Sequence, residues 1–296
     1  MESKILQEWK SQGKIFPYRD NDIFYRDQGK GEVLVCIHGF PTSSWDWSRM
    51  WPDLIKRFRV IAVDMIGFGY SAKPVGYNYS CVDQANLHEV LLARLNIKKY
   101  HILAHDYGDS VAQELLARYK ERRAKQQVGL EIGSICFLNG GLFPETHRPR
   151  PIQKLLLSPI GPLLSRLMNE RLFRHSLSAV FAPGHQPSEE ELSDFWNLVK
   201  NNNGKRVIHK LMQYIPERLT RRSRWVGVMV QTAIPARLIN GRLDPISGKH
   251  MADRYRELVP EADVVSLEGV GHYPQVESPG KVLRAYLDFM RPILNT

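Results

Sequence analysis

Residues Leu103–Ser110 read LAHDYGDS, set between an apolar run, Tyr100–Ala104 (YHILA), and a helix-like stretch, Ser110–Gln126. A chain that leaves a buried strand and enters a helix within one sharp turn crowds its own backbone there. The central residue takes strained dihedrals, and the residues two before and two after it must be small. Asp106 satisfies this, with Ala104 and Gly108 in those places, whereas Asp109 would have Tyr107 and Val111. The octet alone leaves two readings of Asp106 open: a side chain displayed above a sheet at a helix N-terminus, or a plain N-cap carboxylate.

Working outward, short β-branched runs alternate with longer amphipathic stretches. Val33–Ile37, Val60–Val63, Tyr100–Ala104 and Ser134–Leu138 are near-continuous apolar segments, as strands covered on both faces by helices require. Ala236–Ile239 and Asp263–Leu267 read as the last strands of the same sheet, with helices at Cys81–Leu95, Ser110–Gln126, Tyr255–Val259 and Lys281–Met290. This alternation predicts an α/β fold built on a mostly parallel, doubly wound sheet. Between Pro144 and Trp225 strands are absent, eight of the 18 prolines occur, and short helical pieces take over. There Ser188 followed by Glu189, Glu190 and Glu191 reads as a capped helix start. The chain therefore divides into a core at 1–143, a helical cap at 144–225 and a second core part at 226–296.

Composition narrows the function classes. The 296 residues carry 41 Lys+Arg against 31 Asp+Glu, a net charge of +10. No apolar run reaches the ~18–20 residues needed to span a bilayer, and Met1–Lys14 lacks the apolar stretch of a signal peptide. Three cysteines are too few for a disulfide framework and suit a reducing, cytoplasmic setting. The charge is uneven: residues 144–225 hold 14 basic and seven acidic residues, and Arg118–Lys125 holds five basic residues against Glu121. Basic residues are not interleaved with a nucleic-acid module, so nucleic acid is not an expected partner. The segment Arg218–Arg224 is instead expected, on charge alone, to be available for peripheral contact with an anionic membrane.

Partners for Asp106 follow in chain order. His38-Gly39-Phe40-Pro41 comes directly after a strand, where backbone N–H groups of Phe40 and of Tyr107 can form an oxyanion hole. Asp244 in INGRLDP follows one late strand, and His272 in GVGHYPQVESP follows the last. Nucleophile, acid and histidine in that order form a hydrolytic triad, although a turn aspartate before proline also accounts for Asp244. Asp64 in DMIGFGYS is read as a structural loop, because its glycines do not complete a dinucleotide fingerprint. His101 and His105 lie too far apart along a strand to share a metal, and no metal or cofactor is called for. A carboxylate at the elbow can attack an sp3 carbon and form an enzyme ester that water then cleaves. An epoxide oxygen or a halide is the matching leaving group.

HGFPTSSWDW, DMIGFGYSAKP and HDYGDSVAQELL resemble the epoxide hydrolases and haloalkane dehalogenases of the α/β-hydrolase fold. HDYGDSVAQELLARYK, LNGGLFPETHRP and RRSRWVG resemble more closely the mesoderm-specific transcript group, from about Trp9 onward. Animal members of that group carry an N-terminal membrane segment, which is not expected here. The resemblance implies Asp106 as nucleophile, His272 as base, Asp244 as its orienter, and a small apolar substrate under the cap. Dehalogenases place a Trp after the nucleophile and often an Asn after the His-Gly pair; Tyr107 and Phe40 stand there instead. Epoxide hydrolases protonate the ring oxygen with cap tyrosines, and Tyr214 matches the later of the two with no counterpart for the earlier. An epoxide-hydrolase-like reaction is therefore expected, with a dehalogenase, an ester or lipid hydrolase, or a non-catalytic regulatory member as alternatives.

Overall fold

The computed structural model describes residues 2–295. Eight strands form one sheet: β1 (Lys14–Tyr18), β2 (Asn21–Gln28), β3 (Val33–Ile37), β4 (Arg59–Val63), β5 (Lys99–His105), β6 (Glu131–Leu138), β7 (Ala236–Gly241) and β8 (Asp263–Leu267). Their order across the sheet is β1-β2-β4-β3-β5-β6-β7-β8. Pairings from β4 to β8 are all parallel, and β1 and β2 join antiparallel at one edge. The six strands read from apolar runs are the parallel ones. The two that periodicity missed, KIFPY and NDIFYRDQ, are polar at their ends and carry Pro17 on the outermost strand, where a missing N–H costs little.

The elbow segment is central. β5 is buried from Tyr100 onward, and helix Tyr107–Ala124 buries its first eleven residues before turning basic and exposed at its end. The helix thus starts at Tyr107, three residues earlier than read, because the turn is compressed into Asp106 alone. Gly108 must be small: a Cβ there would sit 2.4 Å from the Ile37 carbonyl oxygen and 2.8 Å from that of His38. Asp64 in the next loop is structural, its carboxylate accepting the backbone N–H groups of Ser44 (2.8 Å) and Tyr70 (2.7 Å).

Between β6 and β7 run the helices Pro151–Leu157, Gly161–Leu167, Glu170–Ser178, Glu189–Lys200, Ile208–Leu211, Tyr214–Thr220 and Arg222–Val230. Ser188 caps its helix by accepting the Glu191 N–H at 3.2 Å, and the Glu191 carboxylate accepts the Ser188 N–H in return. Helix Arg222–Val230 runs through residue 225, with Arg224 and Trp225 both bonded to Glu114 of the core helix. Buried Lys73 ties the inserted helices to the loop after β4, donating to the carbonyls of Gly69, Leu198 and Asn201 at 2.6–2.9 Å. Among the described residues no helix is long and apolar enough to cross a membrane.

Candidate active site

Asp106 has φ 46° and ψ −102°, a conformation that costs roughly 1–3 kcal/mol for a non-glycine residue. An N-cap residue has extended backbone and an oxygen on the helix N–H groups. Asp106 has neither, and makes no side-chain cap bond. Its carboxylate turns away from its own helix, one oxygen accepting the Phe40 N–H at 3.2 Å. Asp109 lies fully buried behind it, where Gly140 leaves space for the carboxyl group.

The C-terminal ends of β7 and β8 deliver the other two predicted residues. His272 Nε2 stands 4.0 Å from the same Asp106 oxygen, and Nδ1 is 2.8 Å from Asp244 Oδ2. Asp244 divides its oxygens between its own turn and the histidine: Oδ1 accepts the Ile246 N–H, while Oδ2 faces His272. Asp244 Oδ2 also accepts the Asn139 amide at 2.9 Å and the Ser247 hydroxyl at 2.7 Å. Burial opposes ionisation of Asp244, but His272 and these donors outweigh it and hold its pKa down at about 2. Burial likewise opposes protonation of His272, yet Asp244 and Asp106 together raise its pKa to about 9. Asp106 is held below the usual carboxylate range by His272 and by Arg218, against its own burial.

Arg218 is the residue that sequence reading misplaced. It sits one helical turn after Tyr214, is 2% exposed, and lies 3.4 Å from the second Asp106 oxygen. The same guanidinium donates to the Asp106 carbonyl at 2.8 Å and to the Ser110 hydroxyl at 2.6 Å, and lies 4.5 Å from the Tyr214 ring centroid. The 218–224 segment, expected to face lipid, turns the basic Arg218 inward and commits its other basic side chains to ion pairs: Arg221 with Glu217, Arg222 with Glu145, Arg224 with Glu114. A Tyr-x-x-x-Arg spacing was the available signal, since residues four apart share a face once the stretch is helical.

Three further groups hold Asp244 and His272 in place. Asn139 at the end of β6 bonds both Asp244 and the Gly241 backbone, fixing the Asp244 loop. Glu277 accepts the N–H groups of Gly271 (2.7 Å), Tyr273 (3.0 Å) and Ala182 (3.0 Å), so one carboxylate holds the histidine loop to the inserted helices. His105, kept neutral by burial with a pKa of about 4, lies 2.8 Å through Nε2 from the His272 carbonyl oxygen, to which that nitrogen donates. His101 instead meets Ser134 through Nδ1, so the two histidines share nothing.

A cavity of about 320 Å³ opens over Asp106 and His272, lined mainly by apolar side chains such as Leu156, Met168, Phe173 and Met212. Tyr214 and Tyr273 also line it. The Tyr273 hydroxyl donates to the Phe40 carbonyl at 3.0 Å. Tyr214 is packed between the rings of Phe40 and Tyr107, and burial pushes its phenol far up, so that it stays protonated. Tyr107, next to Asp106, packs its ring against Phe68 and Tyr214 and does not line the cavity.

Comparison with known proteins identifies the family. The family described as alpha/beta hydrolase fold matches residues 32–279. The chain is 46% identical to the human mesoderm-specific transcript homolog protein, over 97% of this chain and 88% of that protein. Among solved structures, the haloalkane dehalogenase DatA from Agrobacterium tumefaciens superposes with a TM-score of 0.79 at 18% identity, covering 95% of this chain and 96% of that one. The epoxide hydrolase CorEH superposes with a TM-score of 0.74 at 21% identity, covering 95% and 99%. At these identities the structural likeness speaks to the fold alone.

Proposed function

The chain belongs to the α/β-hydrolase fold family, and from that premise we propose that it is a hydrolase that opens epoxides through an ester on Asp106. The observation that carries this reading is a buried, ionised carboxylate at the elbow, with His272 4.0 Å away and a phenol held protonated in the same cavity. A carboxylate there cannot accept an acyl group usefully, but it can displace an oxygen from an sp3 carbon.

The first step forms a bond between an Asp106 oxygen and the epoxide carbon and breaks the ring C–O bond. Tyr214 gives its hydroxyl proton to the departing oxygen. His272, protonated at rest because two carboxylates face it, returns a proton to the phenolate through cavity water. Ester formation has by then removed one of those carboxylates, so alkylation itself frees the base that the next step needs. Neutral His272 takes a proton from water, and hydroxide adds to the ester carbonyl of Asp106. The charge develops on the oxygen nearest the Phe40 N–H, a donor whose loss typically costs about 2.7–4 kcal/mol. Collapse expels the diol oxygen, which takes the proton from His272, and the Asp106 acid then passes its own proton to His272. The starting state is restored with one water consumed.

A halide leaving group has less support, because Tyr107 does not line the cavity and Phe40 offers no side-chain donor. The test is intact-mass analysis of a His272→Ala variant incubated with styrene oxide. The expected result is a single adduct of the epoxide's mass on the peptide bearing Asp106, absent in the Asp106→Ala, His272→Ala double variant. No adduct, or one that survives loss of Asp106, would overturn the reading.

A further inference from the structure

The inserted helices present an unusual outer face. Ile160, Leu163 and Leu167 are 53%, 58% and 65% exposed, and their spacing sets them along one side of helix Gly161–Leu167. Leu155 and Leu172, before and after that helix, are exposed as well. A single exposed leucine needs no explanation, but a stripe of them marks a contact surface.

The charge on this face is of one sign and unspent. Arg148, Arg150, Lys154, Arg166 and Arg171 have no carboxylate partner among the described residues, and the stretch's one acidic residue, Glu170, is taken by Arg174 at 2.6 Å. Arg166, which lies between Leu163 and Leu167, also shares a groove with Lys200, Lys205 and Arg206. On the core helix Tyr107–Ala124, by contrast, Arg118 and Arg122 are neutralised by Glu89, and Arg224 is neutralised there by Glu114 and Glu121. Residues 144–225 hold 14 basic against seven acidic residues, so most of the net charge of +10 falls in the segment that carries the leucine stripe.

The cavity lies under the two helices that flank Gly161–Leu167, namely Pro151–Leu157 and Glu170–Ser178. Helix Pro151–Leu157 turns Ile152, Gln153 and Leu156 into the cavity and Lys154 and Leu155 outward. Pro151 and His175, both exposed, mark where the cavity reaches the surface.

We propose that this face docks on an anionic lipid bilayer, the leucines entering the headgroup boundary and the groove around Arg166 receiving lipid phosphates. An apolar stripe flanked by Arg and Lys has the chemistry of an interfacial helix, which gains from buried apolar area and from the negative surface potential together. A second copy fits poorly, because pairing this face with itself would bring its unpaired cations together. Docked in this way, the protein turns its cavity opening toward the bilayer. Binding is read without turnover, so the surface and the chemistry at Asp106 are tested separately.

The experiment is sedimentation of the full chain with vesicles of phosphatidylcholine alone and of phosphatidylcholine mixed with phosphatidylserine. The wild type is expected to bind the mixed vesicles, and high salt to weaken that binding. Leu163→Gln with Leu167→Gln is expected to lower partitioning about tenfold or more, the scale set by withdrawing two leucine side chains from an apolar environment. Arg166→Gln with Arg206→Gln is expected to lower the preference for phosphatidylserine about tenfold or more. All four positions lie outside the cavity lining, and an unchanged thermal midpoint verifies that each variant is folded. Equal partitioning of wild type and leucine variant would overturn the proposal. So would a dimer at working concentration that the leucine replacements dissolve, because a second copy would then own the face.

Discussion

The Arg218 guanidinium and the Asp106 carboxylate form a buried pair 3.4 Å apart, across 112 residues of sequence, with side chains 3% and 5% exposed. Arg218 does not line the cavity; it works through Asp106, holding its backbone carbonyl as well as its side chain. Removing one member of such a pair strands the other. Arg218→Gln is expected to destabilise the fold by about 3 kcal/mol in urea denaturation. It is also expected to slow ester formation about 10²-fold. Loss of the positive charge lets the Asp106 pKa rise, so the acid limb of the alkylation profile moves to higher pH. A structural role alone would lower stability and leave that limb in place.

His272 sets a second pH signature. Its pKa is raised from 6.5 to about 9 by Asp244 and Asp106 acting against burial. The stabilisation from this protonation is therefore complete below pH 6.5 and is lost as pH rises through 9. The thermal midpoint is expected to fall across that interval, and the corresponding slope to be absent in His272→Gln. Ester hydrolysis, in contrast, needs the neutral ring, so single-turnover decay of the adduct is expected to quicken with rising pH.

Asp244→Asn removes the first of the charges that hold His272 protonated, so the histidine pKa is expected to fall. It also exchanges an acceptor for an amide and leaves the ring in the wrong tautomer. Adduct formation is expected to persist while its hydrolysis slows roughly 10³–10⁴-fold, measured by accumulation of the ester in intact-mass time courses.

Tyr214→Phe keeps the ring between Phe40 and Tyr107 and deletes only the proton donor. Epoxide consumption is expected to fall about 10²–10⁴-fold, with the melting temperature little changed. An undiminished rate would transfer the acid role elsewhere.

The elbow also makes a prediction about stability. Gly108→Ala places a methyl group against two backbone carbonyl oxygens, at 2.4 and 2.8 Å, which cannot rotate aside. A loss of about 1–3 kcal/mol is expected in denaturant unfolding. Gly76→Ala, where nothing lies within 4 Å, is expected to stay within about 0.5 kcal/mol of wild type.

Much of this architecture was legible before any coordinates. Strands covered on both faces show as apolar runs, and the sterics of one turn select Asp106 over Asp109. The two antiparallel strands were not legible, because in NDIFYRDQ only Ile23–Tyr25 form an apolar run before the buried Arg26 interrupts it. Asn139 and Glu277 were not legible either. Their value to the site lies in bonds to Asp244 and to the backbone of Gly271 and Ala182, and nothing in their own neighbourhoods announces those partners.

The amino-acid sequence by itself determined which residue occupies the elbow, the chain order Asp106, Asp244, His272, and the alternation of strand and helix that carries them. These are local properties, written in the size of side chains two residues apart and in the period of apolar positions. Only the tertiary structure decided where the charges meet. Arg218, one of many basic residues in its segment, is folded inward against the Asp106 carboxylate, while Arg166 and its neighbours find no carboxylate and stay on the surface. Electrostatic pairing depends on distance in space and on exclusion of water, and a sequence contains neither until the sheet has brought its ends together.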